Sequence, residues 1–218
     1  MTVKVKICGV RTPAILDAAA GAGADYVGLM FFPKSPRNVG LDEAAALAAA
    51  ARGRVRTVAV MVDPDGALVD AVVEQVRPDV LQFHGSETPE RVAAIKARTG
   101  LAVIKAIHVG EAADVARADA YEAVDHILYD AKAKPGAPLP GGNGVAFDWS
   151  VLAGARAPFA LSGGLAPDNV AEAVRQTGAA MVDVSSGVET APGVKDADLV
   201  TQFIAAARGA APIKAKAS

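Results

Sequence analysis

The chain has 218 residues, is 52% hydrophobic and 21% charged, and carries a formal net charge of −2. That length and balance describe a globular chain with enough material for a large core. They offer nothing to draw nucleic acid or an anionic membrane surface, so neither is an expected partner. The first strand is expected over Val3–Ile7, where Lys4 and Lys6 break any leader-like apolar run. Thr12 and Pro13 then open a helix, an N-cap followed by proline in the first turn. A second strand spans Tyr26–Phe31, and the alanine-rich stretch from Asp42 to Ala51 reads as helix. Arg56–Val62 is the third strand, after which Pro64-Asp65 leads into Leu68, Val69, Val72, Val73 and Val76, one apolar helical face. Val80–Phe83 is the fourth strand, and Thr88-Pro89 opens the next helix. Val103–Ile107 is followed by a helix from Glu111 to Ala120, and His126–Tyr129 by a long Gly/Pro-rich loop from Ala131 to Ala146. A short helix from Asp148 to Leu152 precedes the strand Phe159–Leu161. Pro167, Asp168 and Asn169 open another helix, Met181–Val184 is the last strand, and Asp196 opens the final helix. From Arg208 to Ser218 the pattern weakens to a loosely held tail.

Short apolar strands alternating with helical segments argue for βαβ units and a parallel sheet covered on both faces. Eight such units without a composition break predict an α/β protein, a single-domain (β/α)8 TIM barrel over residues 1–207 with a tail at 208–218. An open doubly wound sheet is the alternative, but it usually has fewer strands. No apolar run approaches the roughly 20 residues of a membrane span. A single cysteine cannot form an internal disulfide, which fits a reducing compartment, with the cytoplasm as the expected location.

In such a barrel the site lies at the carboxyl ends of the strands. Strand 1 ends at Cys8, a thiol suited to act as base or nucleophile, with a buried small hydrophobe as the alternative. Strand 6 ends at Asp130, where partial burial would raise a carboxyl pKa toward that of a general acid, unless it simply caps a loop. Arg37 lies beyond strand 2 and could grip a carboxylate in bidentate fashion, or remain a solvated loop arginine. The turns Ser162-Gly163-Gly164 and Ser185-Ser186-Gly187 follow strands 7 and 8, where bare backbone N–H groups commonly bind phosphate. A small phosphorylated molecule is therefore the expected partner. His84, His108 and His126 show no tight metal-ligand spacing, so a metal is the weaker reading. Gly21-Ala22-Gly23 follows a helix rather than a strand and is not a dinucleotide fingerprint.

These positions carry a resemblance to the phosphoribosylanthranilate isomerase family of tryptophan biosynthesis. The matching stretches are KICG at 6–9, FFPKSPR at 31–37, LQFHG at 81–85, Asp130, GGNGVAFDW at 141–149, LSGGL at 161–165, VDVSSGVE at 182–189 and PGVKD at 192–196. Each is weak alone, but together, in order and at barrel spacing, they are specific. The resemblance implies Cys8 as general base, Asp130 as general acid and Arg37 as the grip on an anthranilate carboxylate. It also implies Gly163, Gly164, Ser186 and Gly187 as the phosphate site, with His84 and Asp183 lining the same mouth. The implied reaction is an Amadori rearrangement of a phosphorylated aminoaldose that needs neither metal nor organic cofactor. Asn143 departs from the family's usual serine or threonine in the glycine-rich loop, away from the acid and base.

A strand-1 cysteine argues against the related histidine-pathway isomerase, which resembles the chain but uses an aspartate pair. Indoleglycerol-phosphate synthase shares the phosphate site but matches less at strand 1, and the ribulose-phosphate epimerases need a metal. A non-catalytic phosphosugar-binding barrel is the alternative of a different class, disfavoured by the joint presence of Cys8, Asp130 and Arg37. Monomer and homodimer are both compatible with the sequence, and the glycine content and position of the 131–146 loop lead to the expectation that it closes over substrate.

Overall fold

The computed structural model describes residues 2–132, 148–156 and 158–210. Eight parallel strands close into a barrel: β1 Lys4–Cys8, β2 Tyr26–Phe31, β3 Arg56–Met61, β4 Val80–Phe83, β5 Ala102–Val109, β6 His126–Ala131, β7 Ala160–Leu161 and β8 Met181–Val184. β1 pairs with β8, Lys6 opposite Asp183, so the first and last strands meet at a seam.

Side chains alternate across each strand. One set faces outward into the main core between barrel and helices, including Val5, Ile7, Leu29, Leu81, Val103, Leu161 and Val182. The other fills the barrel interior with Tyr26, Val58, Val60, Val80, Ile104, Leu128 and Met181. Above that plug the same inward face turns polar, with Lys6 and Cys8 on β1, Gln82 then His84 on and just after β4, Asp130 on β6 and Asp183 on β8. The floor of the site is therefore an apolar layer, and its walls are strand ends.

Local capping follows the sequence. In α1, Pro13–Gly21, the Thr12 hydroxyl accepts from Ile15 N–H, and in α2, Leu41–Ala51, Asp42 and Glu43 occupy the first turn. α3, Gly66–Ala71, passes into a π-helical turn over Val72–Val76 and ends on Arg77 in the left-handed region. α4, Pro89–Thr99, is capped by Thr88. The expected helix over 111–120 is shorter as α-helix: α5 covers Ala112–Val115 and tightens to 3-10 turns over Ala116–Ala120. The expected short helix after the long loop is likewise 3-10, Trp149–Gly154. α6 begins at Val170, not at Pro167, because Asn169 turns back on the loop: its Oδ1 accepts from Ala166 N–H and its Nδ2 donates to Gly164 O.

Two features correct the sequence reading. A hairpin absent from it, β9 Glu189–Ala191 and β10 Val194–Lys195, follows β8. The final helix α7, Ala197–Gly209, runs past the expected boundary at 207/208. Arg208 is fastened there rather than frayed, donating to Val3 O, Gly23 O and the Asp25 carboxylate. The expected lid from 131 to 146 falls almost wholly on residues 133–147, outside the described residues.

Candidate active site

A cavity opens at the carboxyl ends of the strands, lined by Cys8, Arg37, His84, Asp130, Asp183, Gly163, Gly164 and Ser186. Eight of the nine residues singled out in the sequence meet in it. The ninth, Gly187, lies behind the wall: a side chain there would collide with Leu165 O at 1.9 Å. Its bare backbone lets the loop after β8 lie against the loop after β7. Gly163 and Gly164 both hold positive φ, and neither N–H donates to any acceptor among the described residues. Such unengaged donors at a strand end form a cradle for an anion.

Cys8 is 5% exposed, and β2 makes room for it. Gly28 stands opposite in register, and a Cβ at Gly28 would lie 2.9 Å from Cys8 Sγ and 3.3 Å from Lys6 Nζ. Lys6 is fully buried and bridges to Asp183 Oδ1 at 3.0 Å. Burial pushes the thiol above its ordinary value, and the pull of Lys6 and Lys195 downward does not cancel it. A base must ionise to act, and burial makes this thiol harder to ionise than a free cysteine. For Lys6, burial acts to lower its pKa, but the charges of Asp183 and Cys8 carry it above the usual lysine value.

Asp130 also departs from expectation. It is buried, which alone would raise its pKa, as the sequence reading held. His84 Nε2 lies 3.0 Å from Asp130 Oδ2, and Ala131 N–H donates to Oδ1 at 3.0 Å. These bonds, with the charges of His84 and His108, hold the carboxyl below the ordinary range. Gln82 Nε2 contacts His84 Nδ1 at 2.9 Å. With the amide donating, Nδ1 accepts and Nε2–H points at Asp130. His108 Nε2 contacts His84 O at 3.1 Å, and its buried Nδ1 has no partner among the described residues. His84, His108 and Asp130 each place one donor atom within 4.8 Å of the others, a group with the donors to hold a cation. Sequence spacing could not show it, because the three come from the ends of three different strands.

Arg37 is 4% exposed, not a solvated loop residue. Its Nε and Nη2 form a two-pronged bridge to Glu189, each bond 2.8 Å. Glu189 also accepts from Lys195 Nζ at 3.0 Å and from Gly193 N–H at 3.2 Å. Burial would raise the Glu189 pKa, but Arg37 and Lys195 draw it below the ordinary glutamate value. Lys195 donates to Ser185 O, and the Ser185 hydroxyl donates to Cys8 O. The hairpin therefore ties Arg37, the loop after β8 and the end of β1 together. Lys6, Gln82, Glu189, Lys195 and Gly28 were not singled out from the sequence. Only their place inside quoted motifs hinted at some of them.

A closed parallel barrel with a thiol, a carboxyl–imidazole pair and an arginine at its carboxyl-end mouth defines a (β/α)8-barrel enzyme for small molecules. The family model described as N-(5'phosphoribosyl)anthranilate (PRA) isomerase matches residues 5–206, and the chain belongs to that family. An N-(5'-phosphoribosyl)anthranilate isomerase of Paramagnetospirillum magneticum is 57% identical over 215 residues, covering 97% of this chain and 100% of the relative. A phosphoribosyl anthranilate isomerase solved with reduced 1-(o-carboxyphenylamino)-1-deoxyribulose 5-phosphate superimposes with a TM-score of 0.83 at 34% identity, covering 95% of this chain and 100% of that one. A structure of monomers generated from the dimeric Thermotoga maritima enzyme gives 0.82 at 35% identity, with the same coverage. Among the described residues, no helix is long and apolar enough to cross a membrane.

Proposed function

We propose that the chain catalyses the Amadori rearrangement of N-(5'-phosphoribosyl)anthranilate to 1-(2-carboxyphenylamino)-1-deoxyribulose 5-phosphate, an aldose–ketose isomerase step of tryptophan biosynthesis. Family membership supports the reaction. The observation that carries the mechanism is that Cys8 and Asp130 line one cavity together with Arg37. Asp130 protonates the ribose ring oxygen, and the bond from that oxygen to the anomeric carbon breaks. The nitrogen lone pair forms an iminium ion, which acidifies the neighbouring carbon. Cys8, as thiolate, removes that proton, and the bond's electrons give an enolamine that tautomerises to the ketone. The substrate is its own electron sink, so the proposed steps need only a positioned acid and base, worth about 10²–10⁴ each.

Arg37 holds the anthranilate carboxylate at one end, with the bridge to Glu189 setting the guanidinium plane. Gly163, Gly164 and Ser186 take the phosphate at the other, with Gly187 shaping their loop. His84 steadies Asp130, and Asp183 anchors Lys6 beside the thiol. Two anchored ends hold the sugar between acid and base. The reaction and the lone cysteine support a cytoplasmic location. The site is built from one chain, which suits either a monomer or a homodimer.

The test is loss of anthranilate-type fluorescence with substrate generated in place, for wild type, Cys8→Ala and Asp130→Asn, with chelator present. Turnover by wild type alone is the expected result. No turnover by wild type overturns the reaction, and turnover surviving in Cys8→Ala overturns the base.

A further inference from the structure

We propose that Lys6 and Lys195 together hold the thiolate form of Cys8, as positioning residues for the base. The proposal rests on the reading of Cys8 as base, but its geometry stands apart from turnover. Lys6 Nζ and Cys8 Sγ both crowd the point where a Gly28 side chain would begin, at 3.3 and 2.9 Å. The ammonium thus flanks the sulfur along the strand, in a space kept open by a glycine. Lys195 arrives from the hairpin, by way of the loop after β8. Its side chain is 2% exposed, and its Nζ lies 3.1 Å from Ser185 O, while Ser185 Oγ lies 3.2 Å from Cys8 O. Burying an ammonium is expensive, and a charge so placed is retained only where it is paired.

Neither cation is spent on its carboxylate in the same way. Lys6 has Asp183 to itself among the described partners, whereas Lys195 shares Glu189 with Arg37. Burial draws the Lys195 pKa down, and the shared glutamate is what holds the ammonium charged beside the loop that touches the end of β1. The remaining charged groups on the cavity wall with Cys8 are Asp183, which opposes the thiolate, Arg37, and the His84–Asp130 pair. In a site nearly closed to water each ammonium acts strongly and offsets part of what burial costs the thiolate.

Cys8 is the chain's only thiol, so its alkylation by iodoacetamide reports this site alone. The measurement is the alkylation rate of the full chain against pH, followed by intact mass. Lys195→Met is expected to move the midpoint up by about one pH unit, a tenfold loss of thiolate at neutral pH, and Lys195→Arg to restore it. Glu189→Gln, which takes away the carboxylate that keeps buried Lys195 charged, is expected to move the midpoint up as well. Restoration of the midpoint by Lys195→Arg separates loss of the charge from simple loosening of the hairpin. Lys6→Met combined with Asp183→Asn removes the other pair together and is expected to raise the midpoint. An unchanged midpoint in Lys195→Met, with thermal unfolding like wild type, overturns the proposal. Turnover retained by Cys8→Ala would instead overturn the base assignment and leave the alkylation result standing.

Discussion

The His84 imidazole meets the Asp130 carboxylate at 3.0 Å inside the barrel mouth, and this contact reverses what burial alone would do to the carboxyl. Across the cavity, burial wins at Cys8 and the thiol pKa is raised. The proposed acid therefore prefers to be ionised and the proposed base to be protonated. The reactive arrangement, with the proton on the carboxyl and the charge on sulfur, is the minor tautomer of a shared proton.

Two limbs of the pH profile follow from that inversion. Between the two pKa values the number of bound protons does not change, so kcat/KM is expected to be flat through neutrality. It should fall on the alkaline side only above the ordinary thiol value of about 8.5. The acid limb should lie below the ordinary Asp value of about 3.9. His84→Asn removes the strongest of the contacts that lower Asp130, leaving only His108 and the Ala131 N–H against burial, so the acid limb moves up. An acid limb that stays put in His84→Asn would show that the imidazole does not set the acid.

Gly28→Ala places a methyl group 2.9 Å from Cys8 Sγ, a separation that real contacts essentially never show. The thiol must turn away or β1 must shift. Overpacking of this kind costs about 1–3 kcal/mol. We expect a lower urea midpoint together with a roughly tenfold drop in kcat, since a small misplacement of a reacting group has large effects. Wild-type kcat in a destabilised Gly28→Ala would mean that the sulfur position is not critical.

Glu189→Gln keeps the shape of the Arg37 partner but removes its charge and one acceptor oxygen. The guanidinium loses its fixed plane, so grip on the substrate carboxylate should weaken. KM is expected to rise about tenfold with a smaller change in kcat, a shift of about 1.4 kcal/mol in binding. A fall in kcat at constant KM would place Glu189 with the chemistry rather than with the grip.

Outside the barrel wall, Lys105 and Glu87 form a 2.8 Å bridge with side chains 2% and 1% exposed. Glu87 accepts from the N–H groups of Asp63 and Gly85, and Lys105 donates to Gly85 O, so the pair holds the loops after β3 and β4. Removing one partner strands a buried charge. Lys105→Met is expected to lose about 3–5 kcal/mol of stability. The double variant Lys105→Met with Glu87→Gln should recover much of it, and equal losses in the single and double variants would show that the pair is not coupled.

The barrel was legible because its strands are nearly all apolar and its helices begin on conventional caps. β2, β4 and β8 have the bounds read from the residues alone, and Thr12, Thr88 and Asp196 cap as expected. The β9–β10 hairpin was not legible: Glu189–Ala191 and Val194–Lys195 are too short to show alternation. The site was half legible. Residues with reactive side chains at strand ends announced themselves, but their tuning depends on partners far away in sequence. A lysine inside a strand reads as a surface residue until Asp183 appears beside it, 177 positions later. Likewise, burial of Asp130 could be inferred from His126–Tyr129, but not that His84 would overcome it.

The register of Lys6 opposite Asp183 places the chemistry on the joint between the first strand made and the last. During synthesis the thiol emerges early, yet its ammonium partners gain their carboxylates only when β8 and the hairpin have docked. A ribosome-held chain ending before β8 would carry the base as an ordinary cysteine, without the wall that turns it toward a substrate. Function is thus the last property this molecule acquires, and its appearance can serve as a clock for ring closure.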